Sequence, residues 1–276
     1  ENEVEKLLAH RLDFIEDREA NAKTEEILKE IFDGILRVEM VIPYGVLVGN
    51  LLTEFIHLRG ADVMMYDLYD NPGMVKRVIG HMAQQKLELL KRLEKDGKLH
   101  LNNMDHYTGS GGVGYTDELP AAGYSGKVRL CDMWGFADAQ EFADVSPAMF
   151  EEFILPYQVL ILKEYGLVSY GCCERMDEKF DSVLEIPHIR RVSVSPWSDI
   201  SIAAEKIGRK CIYSRKPDPA LVAFSFDRDA AAGDIKRVLK AAGNCNLEII
   251  LKDIRTCSGK PENLKQWVDL AQSMCK

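Results

Sequence analysis

Leu167-Val168-Ser169-Tyr170-Gly171-Cys172-Cys173-Glu174, a polar stretch that turns helical over residues 179–184, and then Ile189-Arg190-Arg191-Val192-Ser193-Val194 together decide the fold class. Two short runs rich in apolar and β-branched residues, separated by a helix, read as parallel strands joined by a crossover. The rhythm continues downstream. Residues 211–214 (CIYS) and 247–251 (LEIIL) are further strand candidates, with helices expected over 200–207, 229–242 and 262–275. Upstream, strands are expected over 128–133 (VRLCDM), 99–104 and 37–43 (RVEMVIP). Helical spacing covers residues 4–36, 46–58 and 74–95, the last opened by the turn Asn71-Pro72-Gly73. Ser146-Pro147 starts another helix, expected to run to Tyr165 and stop at Gly166. The spacing suits a (β/α) barrel or a doubly wound sheet.

The 276 residues suffice for one barrel. No Pro/Ser linker, low-complexity tract or repeat divides them, so residues 1–276 read as a single domain. The hydrophobic fraction of 46% and charged fraction of 29% are ordinary for a soluble protein. A net charge of -9 argues against a nonspecific nucleic-acid binder, which needs surplus Lys and Arg on one face, but leaves room for a local basic pocket. No apolar run reads as a membrane span, and the charged start Glu1-Asn2-Glu3-Val4-Glu5-Lys6 does not read as a signal peptide. Seven irregularly spaced cysteines read as reduced thiols of a cytoplasmic protein.

In α/β barrels functional side chains gather just after the strands. Cys172, Cys173 and Glu174 follow one strand and have the donor chemistry of zinc ligands; the alternative is small, buried apolar thiols. Alternation would place Tyr170, Cys172 and Glu174 on one face and Gly171 and Cys173 on the other. Cys257, beyond the last strand, could complete that site or be a loop thiol. Lys252 and Asp253 read equally as an ion pair or as pocket residues. Trp197 could stack on a planar substrate or simply cover the top of the next helix, and Arg215 and Lys216 could hold a carboxylate or phosphate, although solvated charges are the commoner reading. Asp132, with Trp134 beside it, reads as a buried acid. The segment from Asp105 to Tyr115 carries G-x-G-x-x-G at Gly109, Gly111 and Gly114, but no helix follows, so it is not a dinucleotide fingerprint. It reads instead as a flexible loop over the barrel mouth, offering His106, Tyr107 and Tyr115 to a substrate.

In order along the chain, Tyr170-Gly171-Cys172-Cys173-Glu174, Arg190 to Trp197 (RRVSVSPW), Ser214-Arg215-Lys216-Pro217 and Leu251-Lys252-Asp253 resemble a bacterial branch of the uroporphyrinogen decarboxylase-like superfamily. So do Val145 to Phe150, Leu155-Pro156-Tyr157 and the stretch from Arg59 to Pro72. The resemblance implies a TIM-type (β/α)8 barrel, here without a match to the first strands, so that either upstream sequence is missing or the barrel is incomplete. It implies a zinc-assisted methyltransferase working with a corrinoid carried by a separate protein, and a homodimer. Zinc would be held by Cys172 or Cys173 and by Cys257, with Glu174 in place of the family's His, which is absent. Asp132, His106 or Tyr107 would move protons or position the substrate, and Trp134, Tyr170, Trp197, Lys216 and Lys252 would line the substrate site. Two other readings stand beside it. One is a lyase of a carboxylated small molecule bound by Arg215, Lys216 and Lys252; the other is a non-catalytic subunit that binds a corrinoid protein.

Overall fold

The computed structural model describes residues 2–41, 45 and 51–275. Helices α1 (Asn2–Leu8), α2 (Arg18–Ile31), α3 (Leu51–Arg59), α4 (Ala61–Asp70) and α5 (Pro72–Lys95) come first. Strand β1 (Trp134–Ala137) then opens an alternation: α6 (Pro147–Phe153), α7 (Leu155–Leu162), β2 (Leu167–Tyr170), α8 (Phe180–Leu184), β3 (Ile189–Val194), α9 (Ile200–Ile207), β4 (Ile212–Arg215), α10 (Ala220–Ala223), α11 (Arg228–Ala242), β5 (Asn246–Ile249) and α12 (Glu262–Met274). The five strands are parallel and lie in the order β1-β2-β3-β4-β5. This is a mixed α/β architecture. No described helix is long and apolar enough to cross a membrane.

The strand register sorts the side chains onto two faces. Val168, Tyr170, Val192, Val194, Tyr213 and Arg215 point toward helices: Tyr170 bonds through its hydroxyl to Gln158 of α7 at 2.7 Å, Tyr213 to the Ile200 carbonyl of α9 at 3.2 Å, and Arg215 to Asp234 of α11 at 3.3 Å. Trp134, Phe136, Ser169, Arg191, Ser193, Ser214 and Glu248 share the other face. Helix starts follow local chemistry. Ser146 accepts from the Met149 N–H at 3.3 Å, Asp199 from Ser201 and Ile202 at 2.8 and 3.0 Å, and Asp227 from Ala230 at 2.9 Å.

Several sequence expectations require correction. Residues 128–133 are not a strand: Leu130–Asp132 form a tight 3-10 turn, locked by Arg129 and Asp132, and the strand begins one residue later as Trp-Gly-Phe-Ala. Gly135 and Ala137 have weak strand propensity, which hid it. Gly135 is needed because a Cβ there would lie 2.7 Å from the Tyr165 ring. Residues 99–104 form no strand either. The Asn102 side chain instead donates to the Trp134 carbonyl at 2.9 Å and accepts from the Trp134 N–H at 2.8 Å, doing at the edge of β1 what a neighbouring backbone would do. The helix from Ser146 breaks at Ile154, ahead of Pro156, which cannot donate into a continuing helix. Residues 37–41 are irregular; the remainder of the strand expected over 37–43, and residues 46–50 of an expected helix, lie outside the described residues.

The glycine-rich segment is not an open lid. Tyr107 and Val113 pair as an antiparallel bridge, and Thr108, Gly109, Ser110, Gly112 and Gly114 are buried. The loop lies on the sheet face opposite the helices. A Cβ on Gly109 would overlap the Phe136 ring, and one on Gly112 would come within 2.7 Å of the Arg191 guanidinium. The glycines serve close approach to a sheet rather than to a phosphate.

Asn102 gives a direct test of this edge. Asn102→Ala should lower unfolding free energy in urea by about 1–3 kcal/mol, because it strands the Trp134 N–H and carbonyl. A change within about 0.5 kcal/mol, typical of an indifferent surface position, would mean the edge does not depend on this side chain.

Candidate active site

Gly171, at φ 89°, ends β2 in a conformation that favours glycine. The strand alternation therefore stops there, and the two following thiols are not sent to opposite faces. The sulfurs of Cys172 and Cys173 lie 3.7 Å apart, and the Lys252 Nζ approaches them at 3.3 and 3.0 Å. Lys252 reaches in from the chain just past β5, with its side chain only 11% exposed. Asp253, also at positive φ (62°), pairs with the Lys252 Nζ at 2.8 Å and accepts from the Cys173 thiol at 3.3 Å. A non-glycine residue in this conformation is uncommon. Here it lets consecutive side chains, Lys252 and Asp253, turn toward the same sulfur. The cluster sits where the carboxyl ends of β2 and β5 meet the mouth of the sheet.

The electrostatics divide the two thiols. The hydrogen bond from the Cys172 thiol holds Cys173 down to about 7; burial opposes this, Lys252 reinforces it, and Asp253, which accepts from Cys173 only while that thiol keeps its proton, acts against it. The same bond, then burial, pushes Cys172 well upward, so it stays a thiol and donates. Burial works against the Lys252 ammonium, but Asp253 and the Cys173 sulfur outweigh it and raise Lys252 overall. Tyr107 enters from the glycine loop; burial and then the neighbouring Cys172 raise its hydroxyl, while the backbone of Gly111 and Ser110, and then Lys252, act the other way.

A second cluster adjoins this one on the same sheet face. Arg191 is 4% exposed, lies 4.9 Å over the Trp134 ring, donates to the Thr108 hydroxyl and the Val113 carbonyl at 2.9 Å each, and forms an ion pair with Glu248 at 2.8 Å. The Arg191 Nε proton is not aimed at that carboxylate, so this last contact is ionic rather than a linear hydrogen bond. Ser214 donates to Glu248, and Lys216 donates to Ser214. Lys216 is 1% exposed and, among the described residues, makes no ion pair; burial pushes it down to about 7 against the pull of Glu248. At the end of β1, burial and then the charges of Glu174 and Glu141 push Asp138 up to about 8.

The structure thus brings Cys172, Cys173, Lys252 and Tyr107 together and puts Lys216 beside them, but scatters the other expected residues. Tyr170 faces the helices. Asp132 precedes β1, at the opposite end of the strand from the thiols, where Arg129 and the backbone N–H groups of Ala121 and Arg129 occupy its carboxylate. Trp134 is buried under Arg191 and donates to the Gly114 carbonyl at 3.0 Å, a loop-holding role. Trp197 is 68% exposed. The His106 carbonyl accepts from Gly114, and its Nδ1 is buried with no partner among the described residues. Arg215 is turned outward to Asp234. Asp138, Arg191 and Glu248 were not singled out from sequence. Charged residues inside otherwise apolar strands were the available signal for the last two, and correct placement of β1 would have exposed Asp138 as the first acid after it.

The expected zinc set fits poorly. Two thiolates on tetrahedral zinc, each about 2.3 Å from the metal, stand about 3.8 Å apart, which the cysteine pair matches. Glu174, however, is committed to the backbone N–H groups of Ala139 and Cys172 at 3.1 and 2.8 Å. Cys257 lies in an irregular stretch where its carbonyl accepts from Lys260. Among the described residues no group of three or more His, Cys, Asp and Glu could hold a metal ion. An ammonium group approaches both sulfurs instead.

No family model matches the sequence, and no curated protein matches it.

Lys216 yields a pH prediction with a definite sign. Its folded value, about 7, lies below the ordinary lysine value of about 10.4. The destabilisation is therefore complete below the folded value and is relieved as pH climbs toward the unfolded one. Lys216→Met should raise unfolding free energy by about 1–4 kcal/mol near neutral pH, with the gain shrinking between about pH 7 and pH 10. A gain unchanged across that range in chemical denaturation would show that Lys216 is charged in the fold.

Proposed function

We propose that this chain is a thiolate-dependent methyltransferase built on a (β/α) barrel of the uroporphyrinogen decarboxylase-like type, exchanging a methyl group with a corrinoid carried by a partner protein. One observation carries the reading: the Cys173 sulfur, depressed to about 7, lies 3.0 Å from Lys252 and 3.7 Å from Cys172 at the strand ends. Barrel topology is supported by the sequential strand order, since right-handed crossovers between successive parallel neighbours put every helix on one face. It is supported too by the polar layer on the other face, the place where barrels keep their chemistry.

In this mechanism Cys173 is the general base. Its thiolate takes the proton of an acceptor thiol, leaving the acceptor as the nucleophile. The acceptor sulfur attacks the methyl carbon; a new S–C bond forms, the donor's bond to that carbon breaks, and the leaving group keeps the electron pair. A base near 7 is matched to work at neutral pH. Lys252 holds negative charge on the Cys173 sulfur, and Asp138, pushed up to about 8, is the acid available where the leaving atom is an oxygen or nitrogen. Tyr107 lines the entrance. No step is routed through zinc.

A second reading, a lyase of a carboxylated small molecule, is favoured by one feature: Lys216, Lys252 and Arg191 share a face with Asp138 nearby. Carbon dioxide release from polycarboxylates, with no methyl transfer, would select it.

The test is an anaerobic assay with methylcobalamin as donor and 2-mercaptoethanol as acceptor, followed by thioether formation. Wild type should turn over, and Cys173→Ser should be about 100-fold slower. Equal rates for the two proteins would remove Cys173 from the reaction.

A further inference from the structure

We infer that Lys252 occupies the place of a metal ion in this site: its ammonium is the built-in cation that gathers Cys172 and Cys173, making the thiol centre metal-independent. Three observations converge. The sulfurs keep the separation that a shared metal would impose, 3.7 Å, although adjacent cysteines have no covalent reason to hold it. The Lys252 Nζ bridges them at 3.3 and 3.0 Å, an approach close to both sulfurs at once. The residues that a metal would need are turned to other work: Glu174 caps two backbone N–H groups, and Asp253 neutralises Lys252.

The chemistry separates this arrangement from a zinc site. A fixed ammonium stabilises a thiolate by charge and donated hydrogen bonds but withdraws little electron density from sulfur, so the thiolate stays basic and reactive. It also repels an incoming cation and holds Asp253, the nearest third donor. Lys252 is therefore a positioning residue that acts through Cys173. The inference concerns this pair of thiols whatever group they act on, so it does not stand or fall with methyl transfer.

The experiment uses the whole chain, reduced and anaerobic, as wild type, Lys252→Met and Lys252→Arg, with thermal unfolding to verify that each is folded. Zinc affinity is read by competition with a chelating dye, and reactivity by mass-spectrometric rates of iodoacetamide alkylation at Cys173 at neutral pH. Removing the ammonium frees Asp253 and the sulfurs, so Lys252→Met should bind zinc at least about tenfold more tightly than wild type and alkylate about tenfold more slowly. Lys252→Arg should stay close to wild type in both. Where zinc binds none of the three proteins, the alkylation rates decide. One zinc per wild-type chain that protects both thiols would overturn the inference. So would a Lys252→Met protein that alkylates at the wild-type rate.

Discussion

The buried guanidinium of Arg191 is the contact on which the functional face depends. From the middle of β3 it reaches Glu248 of β5, the ring of Trp134 in β1, and Thr108 and Val113 of the glycine loop. A buried charge must be paired and hydrogen-bonded to be tolerated. Meeting that demand draws in three strands and a segment nearly eighty residues away in sequence. One loop glycine follows from it: a Cβ on Gly112 would come within 2.7 Å of the guanidinium. With the loop seated, Ser110 meets Ser193 at 3.2 Å, and Tyr107 stands beside the thiols.

The chemical consequences run outward along the same face. Glu248 is shared by Arg191 and Ser214, which leaves Lys216 with a neutral hydroxyl as its partner and no carboxylate of its own. Lys252 has Asp253, so it remains a cation and can stabilise Cys173. Two lysines close to one another are thus shifted in opposite directions for a local reason. The Cys173 pair repeats the pattern, with one thiol giving up its proton because its neighbour keeps one. Opposed proton affinities in neighbouring groups are what acid–base chemistry at neutral pH requires.

Much of the parallel half was legible in the sequence because β2 to β5 lie in short runs rich in apolar residues, bounded by turns and helix starts. Ile189–Val194 and Ile200–Ile207 lie where periodicity puts them. Strand β1 was hidden because Trp-Gly-Phe-Ala carries its strand character in tertiary contacts: the Gly135 approach to Tyr165, and Asn102 at the edge. The glycine loop was misread for the same reason. What Gly109, Gly111 and Gly112 lie against (Phe136, Ile250, Lys252 and Arg191) is distant in sequence. For the candidate site, the strand-end rule singled out Cys172, Cys173, Lys252 and Lys216, which the fold brings close together, but Tyr170 was put on the thiol face by carrying alternation through Gly171, and Asp132 at the strand end by starting β1 too early. Asp138 acquires its significance from Glu174 and Glu141, which local sequence does not bring together.

The central claim is that one cysteine of seven is held as a thiolate near neutral pH by its neighbours. Its most direct measurement is a carbon-13 NMR pH titration of protein labelled at the cysteine Cβ positions, with Cys173 assigned by substitution. The Cys173 signal should titrate near 7, while Cys172 remains protonated through that range. Titration of Cys173 at or above the ordinary thiol value of about 8.5 would contradict it.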